Sequence, residues 1–158
     1  GEGSCFKVNL PFSAVEESVT HQEAPQKATI SLDGPPLRIL LVEDDLVSIT
    51  FSTSLLNKLG HEVIVAANGK ECLAVLETGV FDIVLMDINL PIMNGEEALL
   101  EVRRNEQGTP LHQKVIALTA YSLRGDKEHF HEAGFDGYVS KPMEVEVLID
   151  EMKRVLRV

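Results

Sequence analysis

Five side chains, far apart in the chain, are of the types that handle phosphorus: the carboxylates of Glu43, Asp44 and Asp87, the hydroxyl of Thr119 and the amine of Lys141. Each ends or directly follows a short apolar run: LLV before Glu43-Asp44, IVLM before Asp87, IAL before Thr119 and YVS before Lys141. A charge at the tip of a buried run is costly unless a partner is supplied. Taken singly, each group has an ordinary explanation. A carboxylate ending a strand is most often a solvated cap, and the triple Glu43-Asp44-Asp45 suits a helix N-terminus. Thr119 suits a strand end, and a lysine before Pro142 suits a surface turn. Their joint occurrence at four strand ends is not ordinary. If the runs are parallel strands, their C-terminal ends share one edge and the side chains converge there. Three converging carboxylates repel one another unless a cation joins them. Few, hard oxygen ligands suit Mg²⁺, which keeps several waters and binds through one or two carboxylates plus phosphate oxygens. Lys141 and the Thr119 hydroxyl then supply a positive charge and a hydrogen-bond donor to an incoming phosphoryl group. Asp87 is left as the candidate nucleophile.

The elements that must position these groups are legible as pattern. Apolar runs at 38–42, 62–66, 81–86, 114–118 and 136–140 read as strands. They are continuous rather than alternating, as expected of strands buried on both faces. Helical periodicity fills the intervals. Val47, Phe51, Leu55 and Leu59 step by four and are expected to face the core. Val145, Leu148, Met152, Val155 and Leu156 form a stripe on the last segment, with Glu144 and Glu146 early and Lys153, Arg154 and Arg157 late, matching a helix macrodipole. Gly60, Gly79 and Gly134 fall where helices should stop. Five strands alternating with five helices give an α/β, doubly wound parallel sheet. The pattern leaves the strand order open. In the 2-1-3-4-5 order, the switch point lies between strands 1 and 3, where the three carboxylates fall.

Composition narrows the partners. With 25 Asp+Glu against 14 Lys+Arg and a net charge of −11, the 158-residue chain is a poor match for nucleic acid or an anionic membrane. Cys5 and Cys72 are the only cysteines, which argues against a disulfide framework and for a reducing compartment. Cys72 lies in a helical pattern beside Leu73 and Leu76 and is expected in the core. No apolar run approaches the roughly 18 residues needed to span a bilayer, and no signal peptide is evident. Residues 11–36 are polar and broken by Pro11, Pro25, Pro35 and Pro36. His129 and His131 form a pair without an evident third ligand, and His21, His61 and His112 show no constellation. The segment YSLRGDKEHFHEAG, with Gly125 and few core anchors, reads as a helix of low local stability.

LLVEDD, IVLMDINLPIMNG, ALTA and GYVSKP, in that order, make residues 38 to 158 resemble the receiver domain of response regulators. The resemblance implies a flavodoxin-like fold of strand order 2-1-3-4-5 with five helices. It implies that Asp87 accepts phosphate from a phosphohistidine, and that Glu43 and Asp44 hold Mg²⁺ together with Asp87 and the backbone carbonyl of Asn89. It further implies that Thr119 and Lys141 contact the phosphoryl oxygens, that Thr119 and Tyr138 form the switch pair, and that the Lys141–Pro142 bond is cis. Glu43-Asp44, where many members have Asp-Asp, looks like the form found in receivers attached to hybrid kinases. Asn89 and Tyr121 occupy positions that bear on phosphate lifetime.

Residues 1–12, GEGSCFKVNLPF, resemble the closing turn and last strand of a histidine kinase ATP-binding domain through Gly1, Gly3, Ser4, Phe6, Leu10 and Pro11. Gly1 and Gly3 are no phosphate cradle, because neither a third glycine nor a Gly-Lys-Ser/Thr follows. The expected organisation is a kinase fragment at 1–12, a linker at 13–36 and a receiver at 37–158, with no output domain after the last helix. The chain is then the C-terminal part of a cytoplasmic hybrid sensor histidine kinase whose parent is anchored in the inner membrane. The parent is a phosphotransferase. The fragment lacks the ATP site and catalyses only its own aspartyl phosphorylation and dephosphorylation. In that phosphorelay its donor is the phosphohistidine of the kinase dimerisation domain and its acceptor a histidine-phosphotransfer protein or domain. The helix 4–strand 5–helix 5 face is switched, and a weak homodimer through it is a further expectation. Three alternatives fit less well. A Mg²⁺-dependent phosphohydrolase wants a second acid two residues after the nucleophile, where Asn89 stands. A degenerate receiver would lack the chemical residues. A flavin phosphate would be repelled by Glu43-Asp44-Asp45.

Overall fold

A computed structural model of the chain describes residues 34–120 and 126–157. Elements alternate as β1 (Arg38–Val42), α1 (Leu46–Lys58), β2 (Glu62–Ala66), α2 (Gly69–Thr78), β3 (Ile83–Asp87), α3 (Gly95–Glu106), β4 (Val115–Thr119), α4 (Asp126–Ala133), β5 (Gly137–Ser140) and α5 (Val145–Leu156). The strands form one parallel sheet in the order β2-β1-β3-β4-β5, as the resemblance implied. The all-buried runs β3 and β4 lie inside the sheet, whereas β2 and β5, which show partial exposure, are its edges. Register aligns the strand tips: Val42 pairs with Ala66 and Met86, Asp87 with Leu118, and Thr119 with Ser140.

Successive strand residues point to opposite faces and so divide between two cores. Leu40, Val42, Val84, Met86, Val115 and Ala117 pack with Cys72, Ala98, Leu99 and Phe130. Ile39, Leu41, Ile83, Leu85, Ile116, Leu118 and Val139 pack on the other face with Leu56, Leu148, Ile149 and Met152. Cys72 is buried as expected, and burial pushes its thiol up to about 12.

Several sequence expectations shift. The third strand starts at Ile83 rather than at 81, because buried Phe81 lies before it with the Arg38 guanidinium 4.9 Å above its ring. The fourth and fifth strands begin one residue later than expected, at Val115 and Gly137. The stripe on α1 is the larger correction: Val47 and Phe51 are exposed, and the buried residues are Ser52 and Leu56. A step of four residues over-rotates a helix by about 40°, so Val47 and Leu59 end about 120° apart and cannot share one face. Leu55 and Leu59 reach the core edge while Val47 turns away from it. Gly60 and Gly134 close their helices with φ of 90° and 101°, but Gly79 ends α2 in extended conformation. Residues 1–33, and with them the expected kinase fragment and most of the linker, lie outside the described residues, as do His21, Tyr121 and Gly125.

Helix α4 is thinly anchored. Among its side chains from 128 onward only Phe130 is buried, packed edge-on to Phe135 and stacked on Tyr138 at 6.0 Å. At β5, the Tyr138 amide donates to Glu151 Oε1 (3.0 Å) and Arg154 Nη2 donates to the Asp136 carbonyl (2.6 Å), so α5 side chains cover groups of the edge strand. Gly137 makes room for this cover, because a Cβ there would stand 2.9 Å from Val155 and collide with Glu151. Where β4 and β5 begin, the Asp136 carboxylate accepts from Arg103, His112, Lys114 and the Val115 amide. Burial works to raise its carboxyl, but these donors outweigh it and hold the group below the usual carboxylate range.

The chain enters the sheet through a buried histidine. The Leu37 amide donates to His61 Nδ1 (3.2 Å), and His61 Nε2 is buried without a partner. Burial pushes the imidazole below the ordinary value of 6.5. The unfolded chain therefore takes up a proton before the folded chain does, and stability contributed above pH 6.5 is lost as the pH falls below it. Urea unfolding at about pH 7.5 and about pH 5.5 is expected to show this loss, and His61→Gln to reduce it. An equal loss in the variant would assign it to another group.

Candidate active site

The acidic triple at the end of β1 divides into three environments. The Glu43 amide continues the pairing with β2 by donating to the Ala66 carbonyl (3.0 Å), which holds Glu43 in line with the sheet and 2 % exposed. Asp45 caps α1 by accepting from the Ser48 amide (2.8 Å), a bond that keeps this exposed carboxyl below its usual range. Asp44, between them, is exposed at the rim. The helix-start explanation and the site explanation thus both hold, for different residues of one triple.

Asp87 ends β3 and is 6 % exposed. Its Oδ1 accepts from the Asn89 amide (3.0 Å), and its Oδ2 accepts from Lys141 Nζ (2.7 Å). The same Nζ donates to Glu43 Oε2 at 2.5 Å. The Lys141 amide is fixed by the Thr119 carbonyl (2.6 Å), and the Lys141–Pro142 bond is cis, as the resemblance implied. Oxygens of Glu43, Asp44 and Asp87 all lie within 4.8 Å of one another, the one such grouping among the described residues. Thr119 is wholly buried at the tip of β4, one residue beyond the partner of Asp87. Asn89 is exposed beside the acids, and Tyr138 is half-buried against Phe130.

Charge balance explains the arrangement. Burial raises the Glu43 carboxyl, and the Lys141 hydrogen bond only partly offsets this. Burial works to lower Lys141, but its bonds to Asp87 and Glu43 prevail and keep the ammonium above its ordinary value. The donor set is all oxygen, small and anionic, which fits a hard divalent cation.

Two features of the site were missed in the sequence. Gly95 is required where α3 begins, because its amide donates to the Ile88 carbonyl (3.1 Å) and a Cβ would collide with the Asp87 carbonyl. The signal was available: Asn94 and Glu97 form a capping box that dates the helix start to that glycine. Ile92 adopts φ 69°, and nothing in an ordinary apolar residue announces that. Among the described residues the histidine pair gathers no metal group: His129 Nε2 lies 3.0 Å from Glu96 Oε1, and His131 is exposed. Among the described residues, no helix is long and apolar enough to cross a membrane.

The family model described as the response regulator receiver domain matches residues 39–153. The chain belongs to this family. Over 154 residues it is 36 % identical to the aerobic respiration control sensor protein ArcB of Escherichia coli (strain K12), covering 98 % of the chain and 19 % of ArcB. It superposes with TM-score 0.68 on the receiver domain of sensor histidine kinase PA1611 from Pseudomonas aeruginosa PAO1, at 34 % identity over 78 % of this chain and 99 % of that one. That structure has a magnesium ion coordinated in the active-site cleft. A chain of the Saccharomyces cerevisiae co-crystal structure of the histidine phosphotransfer signaling protein Ypd1 with the receiver domain of Ssk1 superposes with TM-score 0.69, at 26 % identity over 75 % and 88 % of the two chains. This receiver chain spans only 7 % to 19 % of the length of the hybrid kinase and ArcB proteins that it matches.

Removing Lys141 leaves two buried carboxylates facing each other. Lys141→Met is expected to lower the unfolding free energy by about 2 kcal/mol in chelator, allowing for the lysine's partial exposure. The loss is expected to shrink in Mg²⁺. Denaturant titrations under both conditions check this, and an identical loss in each would separate the lysine from any cation site.

Proposed function

We propose that Asp87 is the phosphoacceptor of a phosphorelay. The carrying observation is the Lys141 ammonium bound to both Asp87 and Glu43 beside the clustered carboxylate oxygens. The phosphoryl group leaves an imidazole nitrogen of the donor. Its P–N bond breaks, a P–O bond to an Asp87 carboxylate oxygen forms, and the imidazole recovers a proton from solvent. The same group then passes to the histidine of a phosphotransfer partner or to water.

Asp87 needs no proton removed, because its carboxylate is the attacking form. The Asn89 amide, bound to Oδ1, holds that carboxylate in place. Lys141 offsets the charge of the arriving group, and Thr119 offers its hydroxyl. Glu43, Asp44, Asp87 and the Asn89 carbonyl would hold Mg²⁺, which when bound cancels repulsion between two anionic reactants. The magnesium-bound PA1611 receiver supports this reading. Phosphate at Asp87 draws on Thr119, and Tyr138, stacked on the buried Phe130 of α4, carries the change to the α4–β5–α5 face.

The exposed apolar face of α1, with Leu46, Val47 and Phe51 beginning two residues after Asp44, offers a seat for the protein that carries the histidine. The Ypd1 complex supports such a partner, and the kinase dimerisation domain is the proposed donor. We assign residues 1–12 to the end of a kinase ATP-binding domain, 13–36 to a linker and 37–158 to the receiver. Alignment with ArcB across 98 % of the chain supports that division. The parent is a hybrid sensor histidine kinase anchored in the inner membrane, and a weak homodimer forms through the α4–β5–α5 face.

Acetyl phosphate with Mg²⁺ is expected to label Asp87, read by mass spectrometry, and Asp87→Asn to abolish the label. Ala at both 43 and 44 is expected to weaken Mg²⁺ binding at least about tenfold. Undiminished label in the Asp87 variant would defeat the assignment.

A further inference from the structure

The loop between Asp87 and α3 holds a residue whose backbone and side chain are both out of place. Pro91, Ile92 and Met93 form a γ-turn: the Met93 amide donates to the Pro91 carbonyl (2.7 Å) across Ile92, whose φ is 69°. Positive φ in a β-branched residue is a genuine outlier, and this turn form is rare and strained. Such strain persists only where the surroundings over-determine it. Here they do. The Gly69 amide at the start of α2 donates to the Met93 carbonyl (3.1 Å), the Gly95 amide binds the Ile88 carbonyl, and a Cβ at Gly69 would stand 2.7 Å from Met93.

The strained geometry does not need isoleucine, since glycine or asparagine would hold it at lower cost. Nor does the core repay the side chain, which is 74 % exposed. What remains is a role outside the domain, and the loop's location says which. Ile92 follows Asp87 by five residues, and Leu46 and Val47 follow Asp44 closely, each 77 % exposed. Because β1 and β3 are adjacent and the three carboxylates meet, the two loops bound the same opening. A protein that brings a phosphoryl group to nearly buried Asp87 through this opening meets both loops.

We propose that Ile92 is a specificity-determining contact for the protein that carries the phosphohistidine, presented by a strained turn at the opening that the start of α1 also bounds. This rests on Asp87 being the phosphoacceptor. A small donor carries no protein surface and does not meet Ile92, so the two donor classes separate the roles.

The test compares wild type, Ile92→Asn and Ile92→Val with two donors. One is acetyl phosphate. The other is Ypd1 phosphorylated on its histidine with phosphoramidate and freed of excess reagent. Ile92→Asn is expected to match wild type with acetyl phosphate, to unfold at the same or higher denaturant concentration, and to accept phosphate from Ypd1 at least about tenfold more slowly. Ile92→Val, which keeps an apolar branched side chain, is expected to stay within about threefold of wild type with both donors. Equal transfer from Ypd1 to the Asn variant and wild type overturns the proposal. So does an equal slowing with both donors, which would mark a change in loop geometry, and so does wild type taking label from acetyl phosphate but none from Ypd1. Failure of acetyl phosphate to label wild type at Asp87 would instead remove the phosphoacceptor reading on which the proposal stands.

Discussion

Three carboxylates at the ends of two apolar strands repel one another, and the structure is organised around relieving that repulsion. At about 4 Å, like charges near a protein surface oppose each other by several kcal/mol, comparable to a large part of a domain's net stability. Relief comes from an ammonium 98 residues away in the chain from Glu43. Bringing it there requires the strand order that places β1 beside β3, the register that sets Asp87 against Leu118, and the bond from the Lys141 amide to the Thr119 carbonyl. The parallel sheet is thus a device for addressing distant residues to one edge. Burial of Glu43 and Asp87 makes their bonds to Lys141 stronger than they would be in water, and also makes the site intolerant of losing its cation.

Most of this architecture was visible in the sequence because it rests on short-range pattern. Continuous apolar runs separated by helical intervals specify a buried parallel sheet, and a charge that ends such a run identifies its edge. Glu43, Asp87, Thr119 and Lys141 could be named as a set because each interrupts a pattern that would otherwise continue. The strand order could not be read that way, since periodicity carries no information about which strands are neighbours, and the motif resemblance supplied it. The misjudged face of α1 has a simple cause. Steps of four look like a stripe in print but wind around the cylinder, so the apolar residues divide between the core and the solvent beside Asp44. Ile92 and the Gly95 approach were hidden for another reason: backbone dihedrals and close contacts are properties of the folded loop, and isoleucine or glycine in a list of letters does not disclose them. For the triple Glu43-Asp44-Asp45 the sequence offered a helix start as well as a site, and only the folded chain divides the two, giving the cap to Asp45.

Stability is unevenly distributed around the site. The central strands are sealed on both faces, and the far end of β4 and β5 is pinned by the donors around Asp136. By contrast, among the described side chains of α4 only Phe130 is buried, and His129 pairs with Glu96 in the open. A perturbation that reaches Tyr138 meets α4 directly, because the ring of Tyr138 is what Phe130 stacks upon.

The side chains of Glu151 and Arg154 that overlie β5 have a consequence for assembly. Two polar main-chain groups at that margin, the Tyr138 amide and the Asp136 carbonyl, are already satisfied from within the same molecule. A sixth strand from a neighbour would have to evict both side chains before it could zip on. Association at this border therefore favours contacts between helix surfaces, which leave the sheet intact and come apart readily, over fusion of two sheets into a continuous ribbon.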